Sequence, residues 1–199
     1  MSPDRLDRYR RKRDFGRTAE PSGGGRRRRG RARNPIFVIQ KHAASSLHYD
    51  FRLEVGGVLR SWAVPKGPST DPRDKRLAVE VEDHPLDYAD FEGVIAEGNY
   101  GAGSVIVWDI GPYRNLSERG GEELPLDEAL DAGRASVWLE GDKLRGGYAL
   151  TRMRGGPKPQ WLLIKRRDEE ADARRRPVNS QPESVLTGRT VEEVAAEAG

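Results

Sequence analysis

"LHYDFRLEVGGVLRSWAV", residues 47–64, alternates apolar and polar side chains on either side of a glycine pair. Successive side chains of a strand point to opposite faces. Leu47, Tyr49, Phe51, Leu53 and Val55 therefore share one face, and His48, Asp50, Arg52 and Glu54 share the other. Gly56-Gly57 reads as a two-residue hairpin turn, because glycine accepts the positive φ such turns require. Pairing across it sets Phe51 opposite Trp62 and Tyr49 opposite Val64. The pattern extends both ways along the chain, with predicted strands at 36–40, 47–55, 58–64, 77–82, 104–109, 135–140, 145–151 and 160–166. One helix is predicted within "LPLDEALDAG", 124–133. Eight short strands and one helix between residues 35 and 167 predict an all-β fold, an antiparallel sheet curled into a compact barrel.

The flanks differ in charge. Residues 1–34 hold 13 Lys and Arg against 4 Asp and Glu, a net of +9; the remaining 22 basic and 28 acidic residues net −6, which together give the formal +3. The basic runs "YRRKRD" and "GGGRRRRGRAR", broken by "PSGGG", predict a flexible arm over 1–34 that tracks a polyanion. After residue 168 the chain is polar, and 168–199 is expected to be a tail closed by a short helix. Thr190 and Glu193 have the spacing of a capping box there. The chain has no cysteine, which excludes disulfides, thiolate metal sites and cysteine nucleophiles. No apolar run approaches the roughly 20 residues that span a bilayer, and the first residues lack a signal-peptide core. A soluble, cytoplasmic protein is expected, with no membrane contact.

All three histidines, His42, His48 and His84, lie near two strands with an ionisable row. In "RLAVEVEDH", Leu77, Val79 and Val81 alternate with Arg76, Ala78, Glu80, Glu82 and His84. A solvated face has the same alternation, but solvated rows normally use Lys, Glu, Thr or Ser. His48-x-Asp50 sets an imidazole and a carboxylate about 7 Å apart on one face, and His42 can fold back across "AASS" as a third ligand. Two imidazoles and one carboxylate suit Zn, Mn or Fe and leave positions open for water or substrate. His48, Asp50 and His84 also match the facial triad of non-haem iron oxygenases. The gap to His84 is short for that arrangement, and an oxygenase has no use for a cationic arm. Arg52 shares the His48 face and Arg76 the His84 face, with Lys66 close by in "WAVPKGPS". Cations beside a metal match the charge of a phosphoester in reaction.

The block "FVIQKHAASSLHYDFRLEVGGVLRSWAVPKGPSTDPRDKRLAVEVEDHPLDYADFEGVIAEGNYGAGSVIVWDIGPY", 37–113, resembles the 3′-phosphoesterase module of bacterial DNA ligase D. The likeness continues through "LRGGYALTRM" and "WLLIKRRDEEAD" and reaches back into "YRRKRDFGRTAEPSG". It implies a β-barrel enzyme of nonhomologous end joining that removes a 3′-terminal ribonucleoside and then the 3′-phosphate, leaving a 3′-hydroxyl. It also implies a divalent metal, manganese first, with zinc or cobalt as alternatives. Carried over by position, it makes His42, His48 and Asp50 metal ligands. Arg52, His84 and Tyr88 become contacts to the scissile phosphate, assisted by Lys66 and Arg76. Gln40 and Glu82 match further positions around the site, and Arg13, Asp14 and Glu20 match residues used in substrate handling.

Two features depart from that family. Ligase and polymerase domains do not fit in 199 residues, so a stand-alone enzyme or an excised domain is expected. "GGGRRRRGRAR" is unusually rich in arginine, which raises nonspecific DNA affinity and its salt sensitivity. The expected partners are DNA or DNA/RNA primer-template 3′ ends, with Ku and a separate ATP-dependent ligase or polymerase in the same pathway, and the chain is expected to be a monomer. The alternative reading is a noncatalytic end-binding module that recruits a ligase or polymerase.

Overall fold

A computed structural model describes residues 4–25 and 34–199. Its strands run β1 (Ile36–Ala43), β2 (Leu47–Val55), β3 (Val58–Val64), β4 (Arg76–His84), β5 (Gly93–Ile95), β6 (Gly103–Asn115), β7 (Glu118–Arg119), β8 (Glu122–Glu123), β9 (Arg134–Glu140), β10 (Arg145–Arg152) and β11 (Gln160–Lys165). The order β1-β2-β3-β4-β11-β10-β9-β6 closes on itself through a β1–β6 pairing, with β5 beside β6 and β7-β8 as a small hairpin. All pairings are antiparallel, so eight strands close the barrel. Helices are short: α1 (Asp7–Arg11), a 3₁₀ turn (Leu86–Asp90), α2 (Leu126–Asp131), α3 (Pro177–Ser180) and α4 (Val191–Glu197). Each predicted strand is present; five run beyond the expected bounds, β6 by seven residues, and β11 ends one residue early.

The β2–β3 hairpin follows the sequence pattern. Gly56 and Gly57 take φ of +61° and +83°, Phe51 faces Trp62, and Tyr49 faces Val64. Phe51, Trp62, Trp108 and Trp161 belong to one buried cluster fed by all eight barrel strands, which fills the barrel interior. Burying a side chain the size of Phe51 stabilises by about 1.5–3 kcal/mol. Leu47 departs from its row: it is 49% exposed, at the end of β2.

Alternation misleads in β4. The sequence puts Leu77, Val79 and Val81 on the core face. In the structure Ala78 joins the interior cluster, while Leu77 is exposed and Val79 and Val81 are half-buried. The register with β3 sets this: Trp62, inside the barrel, faces Glu80, so Ala78 and Glu80 turn inward, and a bulge follows. Ser61 pairs with Val81 but Leu59 pairs with His84, so three steps of β4 span two of β3. The extra residue reverses the parity of the strand and turns His84 to the outer face that Val81 and Ser61 share.

Both flanks pack on the barrel. Residues 4–25 are not the flexible arm expected over 1–34: α1 buries Tyr9 completely, against a second apolar cluster containing Val38, Leu59, Tyr88, Phe91 and Val107 on the outer surface. Three aromatic or apolar residues, Leu6, Tyr9 and Phe15, give this basic stretch a face to bury, which its charge count concealed. The insert at 26–33 lies outside the described residues. The tail is also docked. Trp108 Nε1 donates to the Gln181 carbonyl at 2.7 Å, and α4 seats Val191 and Val194 on Ile106. The expected capping box is formed, with Glu193 N donating to Thr190 Oγ1 at 3.2 Å and Thr190 N to Glu193 Oε2 at 2.8 Å.

Gly103 begins β6 opposite the end of β1, at φ +139°, and a Cβ there would sit 2.0 Å from the Ala43 carbonyl oxygen. Gly103→Ala forces the two strands apart beside His42. The expected loss is about 3 kcal/mol, or a Tm lower by about 6–12 °C in a chain of this size, read by thermal denaturation. An unchanged Tm would show that the strands separate there without cost.

Candidate metal centre

The outer faces of β1 and β2 form a small grid. Val38 lies opposite Arg52, Gln40 opposite Asp50, and His42 opposite His48. His42 and His48 have ring centroids 4.8 Å apart. Asp50 Oδ2 is 3.6 Å from His42 Nδ1 and 3.3 Å from His48 Nε2. One ligand atom from each of the three residues lies within 4.8 Å of the others. Two backbone carbonyls fix which nitrogens face inward. His42 Nε2–H donates to the Gly101 carbonyl at 2.7 Å, and His48 Nδ1–H donates to the Ser46 carbonyl at 3.1 Å. His42 Nδ1 and His48 Nε2 are thereby the nitrogens left facing Asp50, where they can bond its carboxylate or, deprotonated, a metal. Two imidazole lone pairs and a carboxylate converging at this spacing fit a divalent ion with open coordination positions.

Burial alone would raise the Asp50 carboxyl, but the Arg52 guanidinium and hydrogen bonds from His42 and His48 outweigh it and hold the group well below the usual range. For His48, burial acts downward, and the bond to Asp50 wins and raises it.

Arg52 sits next in the row, and three groups hold it. Its Nε donates to Gln40 Oε1 at 2.8 Å, its Nη1 to Ser61 Oγ at 2.9 Å, and its Nη2 lies 3.6 Å from Asp50 Oδ2. Gln40 is itself fixed, with Nε2 donating to the carbonyls of Tyr88 and Phe91 at 2.9 and 3.1 Å. The Tyr88 ring lies 5.0 Å from the guanidinium carbon.

The N-terminal segment completes this layer. Arg13 lies over the Tyr9 ring at 4.0 Å. Its Nε donates to Glu20 Oε2 at 2.9 Å, its Nη1 to Glu82 Oε1 at 3.4 Å, and its Nη2 lies 3.4 Å from His84 Nε2. The Tyr88 hydroxyl donates to Glu20 Oε2 at 2.8 Å, and burial holds its pKa well above the ordinary value. His84 Nδ1 donates to the Glu82 carbonyl at 2.9 Å, which leaves Nε2 as an acceptor facing Arg13. Burial first, then the charges of Arg52 and Arg13, hold His84 well below its ordinary value, so the ring is neutral.

Of the residues singled out from sequence, ten meet here: Arg13, Glu20, Gln40, His42, His48, Asp50, Arg52, Glu82, His84 and Tyr88. Three do not. Asp14 is exposed, and its carboxylate accepts from Gly16 N at 3.0 Å within its own turn. Lys66 and Arg76 line a separate open cavity of about 340 Å³ with Arg175, Arg176 and Val178. Pro65 ends the strand before Lys66, and Arg76 precedes the bulge that brings Glu82 and His84 to the centre. Sequence reasoning missed Lys12, whose Nζ donates to Glu82 Oε2 at 3.0 Å, and the carbonyls of Gly101 and Ser46. Lys12 adjoins the "RD" of 13–14, a usable signal; a carbonyl leaves none.

Residues 40–152 match the family described as the DNA ligase D 3′-phosphoesterase domain. The multifunctional non-homologous end joining protein LigD of Pseudomonas aeruginosa is 51% identical over 194 residues, 94% of this chain and 22% of that protein. The LigD proteins of Mycobacterium tuberculosis and Mycolicibacterium smegmatis are 42% and 43% identical over 84% of this chain. The chain spans about a fifth of the length of these curated relatives.

Because folded His84 refuses a proton that the unfolded chain accepts near pH 6.5, its contribution to stability is complete above that pH. It is lost as pH falls from there through the folded value. In EDTA, the Tm should drop between pH 7.5 and 5.5 by a few degrees more in the unaltered protein than in His84→Asn, since one group contributes at most about 1.4 kcal/mol per pH unit. Parallel slopes would show that His84 titrates normally.

Proposed function

This chain belongs to the DNA ligase D 3′-phosphoesterase family, and from that premise we propose that it is a metal-dependent phosphoesterase processing DNA 3′ ends. The substrates are 3′-terminal ribonucleosides and 3′-phosphates on DNA or DNA/RNA primer-templates, and the product is a 3′-hydroxyl for nonhomologous end joining. The reading takes Mn²⁺ as the ion and places the protein in the cytoplasm as a monomer, serving Ku and a separate ATP-dependent ligase or polymerase. Among the described residues, no helix is long and apolar enough to cross a membrane.

One observation carries the reading: three ligand atoms converge beside a guanidinium whose own hydrogen bonds fix its direction. A divalent ion at such a site supplies Lewis-acid polarisation of a phosphoryl oxygen and acidifies bound water. The protein's groups do the rest. Arg52, held by Gln40 and Ser61, offers a preset donor to a phosphoryl oxygen, which costs no reorganisation when charge develops. Arg13 offers a second once its 3.4 Å contacts to Glu82 and His84 yield to phosphate. His84 Nε2 accepts in the resting site. Phosphate brings negative charge that offsets both guanidiniums, so this nitrogen gains the ability to hold a proton against the departing oxygen. Tyr88 touches phosphate only after exchanging its bond to Glu20. Lys66 and Arg76 suit a more distant part of the substrate.

The test is a labelled primer-template ending in one ribonucleotide, incubated with Mn²⁺ or with EDTA. Cleavage to a 3′-phosphate and then a 3′-hydroxyl is expected only with the ion. His48→Ala should abolish both steps, lowering the rate by at least about 10³-fold, the scale of a lost metal or oxyanion contact. A primer that stays whole in both tubes, yet is bound, supports the noncatalytic end-binding module instead.

Deleting 26–33, "RRRRGRAR", should raise KM and flatten its dependence on salt, since six arginines no longer displace counterions from phosphate. KM measured from low to high KCl checks this; identical slopes would remove the insert from substrate binding.

A further inference from the structure

Tyr100 is the one aromatic among the large apolar side chains exposed in the described residues, at 47%. Its place in the chain ties it to the metal centre. The next residue, Gly101, accepts the His42 Nε2 hydrogen bond at 2.7 Å, and a Cβ on Gly101 would lie 3.4 Å from His42 Cε1. The backbone beside Tyr100 therefore holds a ligand ring by a hydrogen bond. From the other side, Lys12 Nζ approaches the Tyr100 hydroxyl at 3.1 Å and the ring centroid at 4.5 Å, and the Arg13 guanidinium carbon lies 5.4 Å from that centroid. Both cations also bond Glu82, and Arg13 meets His84. The ring stands at the rim of the phosphate cradle, backed by two cations and open to solvent elsewhere.

From this geometry we infer that Tyr100 is a stacking platform for the nucleobase at the 3′ end. A phosphate in the cradle carries its nucleoside with it, and the base needs a surface. The other tyrosine rings of the cradle, Tyr9 and Tyr88, are buried and offer a base no free face. An exposed aromatic does, for every base alike, because each has a π-face. Lys12 and Arg13 add to this by holding the ring in place and by attracting the adjoining phosphate. The inference rests on the phosphoesterase reading for the location of the phosphate and adds the nucleoside subsite.

Binding in EDTA, followed by fluorescence anisotropy, separates the two ideas. Primer-templates ending in an ordinary ribonucleotide are compared with ones ending in abasic ribose, for the unaltered protein, Tyr100→Ala and Tyr100→Phe. Stacking predicts that Tyr100→Ala weakens Kd for the base-bearing end about tenfold or more, the range found when an aromatic is removed from a stacked base. The abasic end should change less than about twofold, and Tyr100→Phe should bind like the unaltered protein. With Mn²⁺, KM should follow the same pattern while kcat stays put. Equal weakening of both ends overturns the inference, since the ring would then only hold Lys12 and the N-terminal segment. No weakening overturns it as well. Base-selective binding by a protein that cleaves neither primer would defeat the phosphoesterase reading and leave the platform standing.

Discussion

The register between β1 and β2 is the constraint on which the site depends. It sets His42 against His48 and Gln40 against Asp50, so three ligand atoms and the residue that holds Arg52 arise from two adjacent strands. Nothing polar is needed to enforce that register. Phe37 and Ile39 on β1, with Tyr49, Phe51 and Leu53 on β2, must stay inside the barrel. A slip of one residue would turn every one of them outward and the histidines inward. The free energy of the apolar face thus holds the polar face in place.

A row of charges on the outside of a barrel is ordinarily wet. This one is covered by residues 4–25 and by the segment from the 3₁₀ turn to Gly101, and covering it makes unpaired charge expensive. The pairing is correspondingly complete. Arg52 rests on Gln40, Ser61 and Asp50, and Arg13 on Glu20 and Glu82. Lys12 rests on Glu82. Three cations stand against the three carboxylates of Glu20, Asp50 and Glu82, so the cradle is close to neutral when it holds no ion. A divalent ion there would leave it positive by about two charges. The neutral His84 fits this balance, because a fourth positive group there would have no carboxylate left to face.

Local features that depend on a few neighbouring residues were legible in the chain. The Gly56-Gly57 turn, the Phe51–Trp62 pair, the Thr190–Glu193 cap and the convergence of His42 on His48 and Asp50 all follow from spacing and strand parity. The β4 reading failed because alternation shows which residues share a face, not which face is inside: the pairing of Trp62 with Glu80 turns Ala78 inward, and the later bulge, which reverses parity before His84, leaves no residue pattern in β4 itself. The N-terminal segment misled through its composition, since 13 basic residues hide the few apolar side chains that seat it.

The sequence alone determined the barrel, the polar row and the donor set, because each is written in period-two alternation and residue chemistry. Tertiary structure alone decided that the row lies outside the barrel and beneath the N-terminal segment. It also separated Lys66 and Arg76 from the centre and set Tyr100 at its rim. Those outcomes depend on contacts between residues far apart in the chain, and a strand's own alternation says which side chains share a face, not what that face will meet.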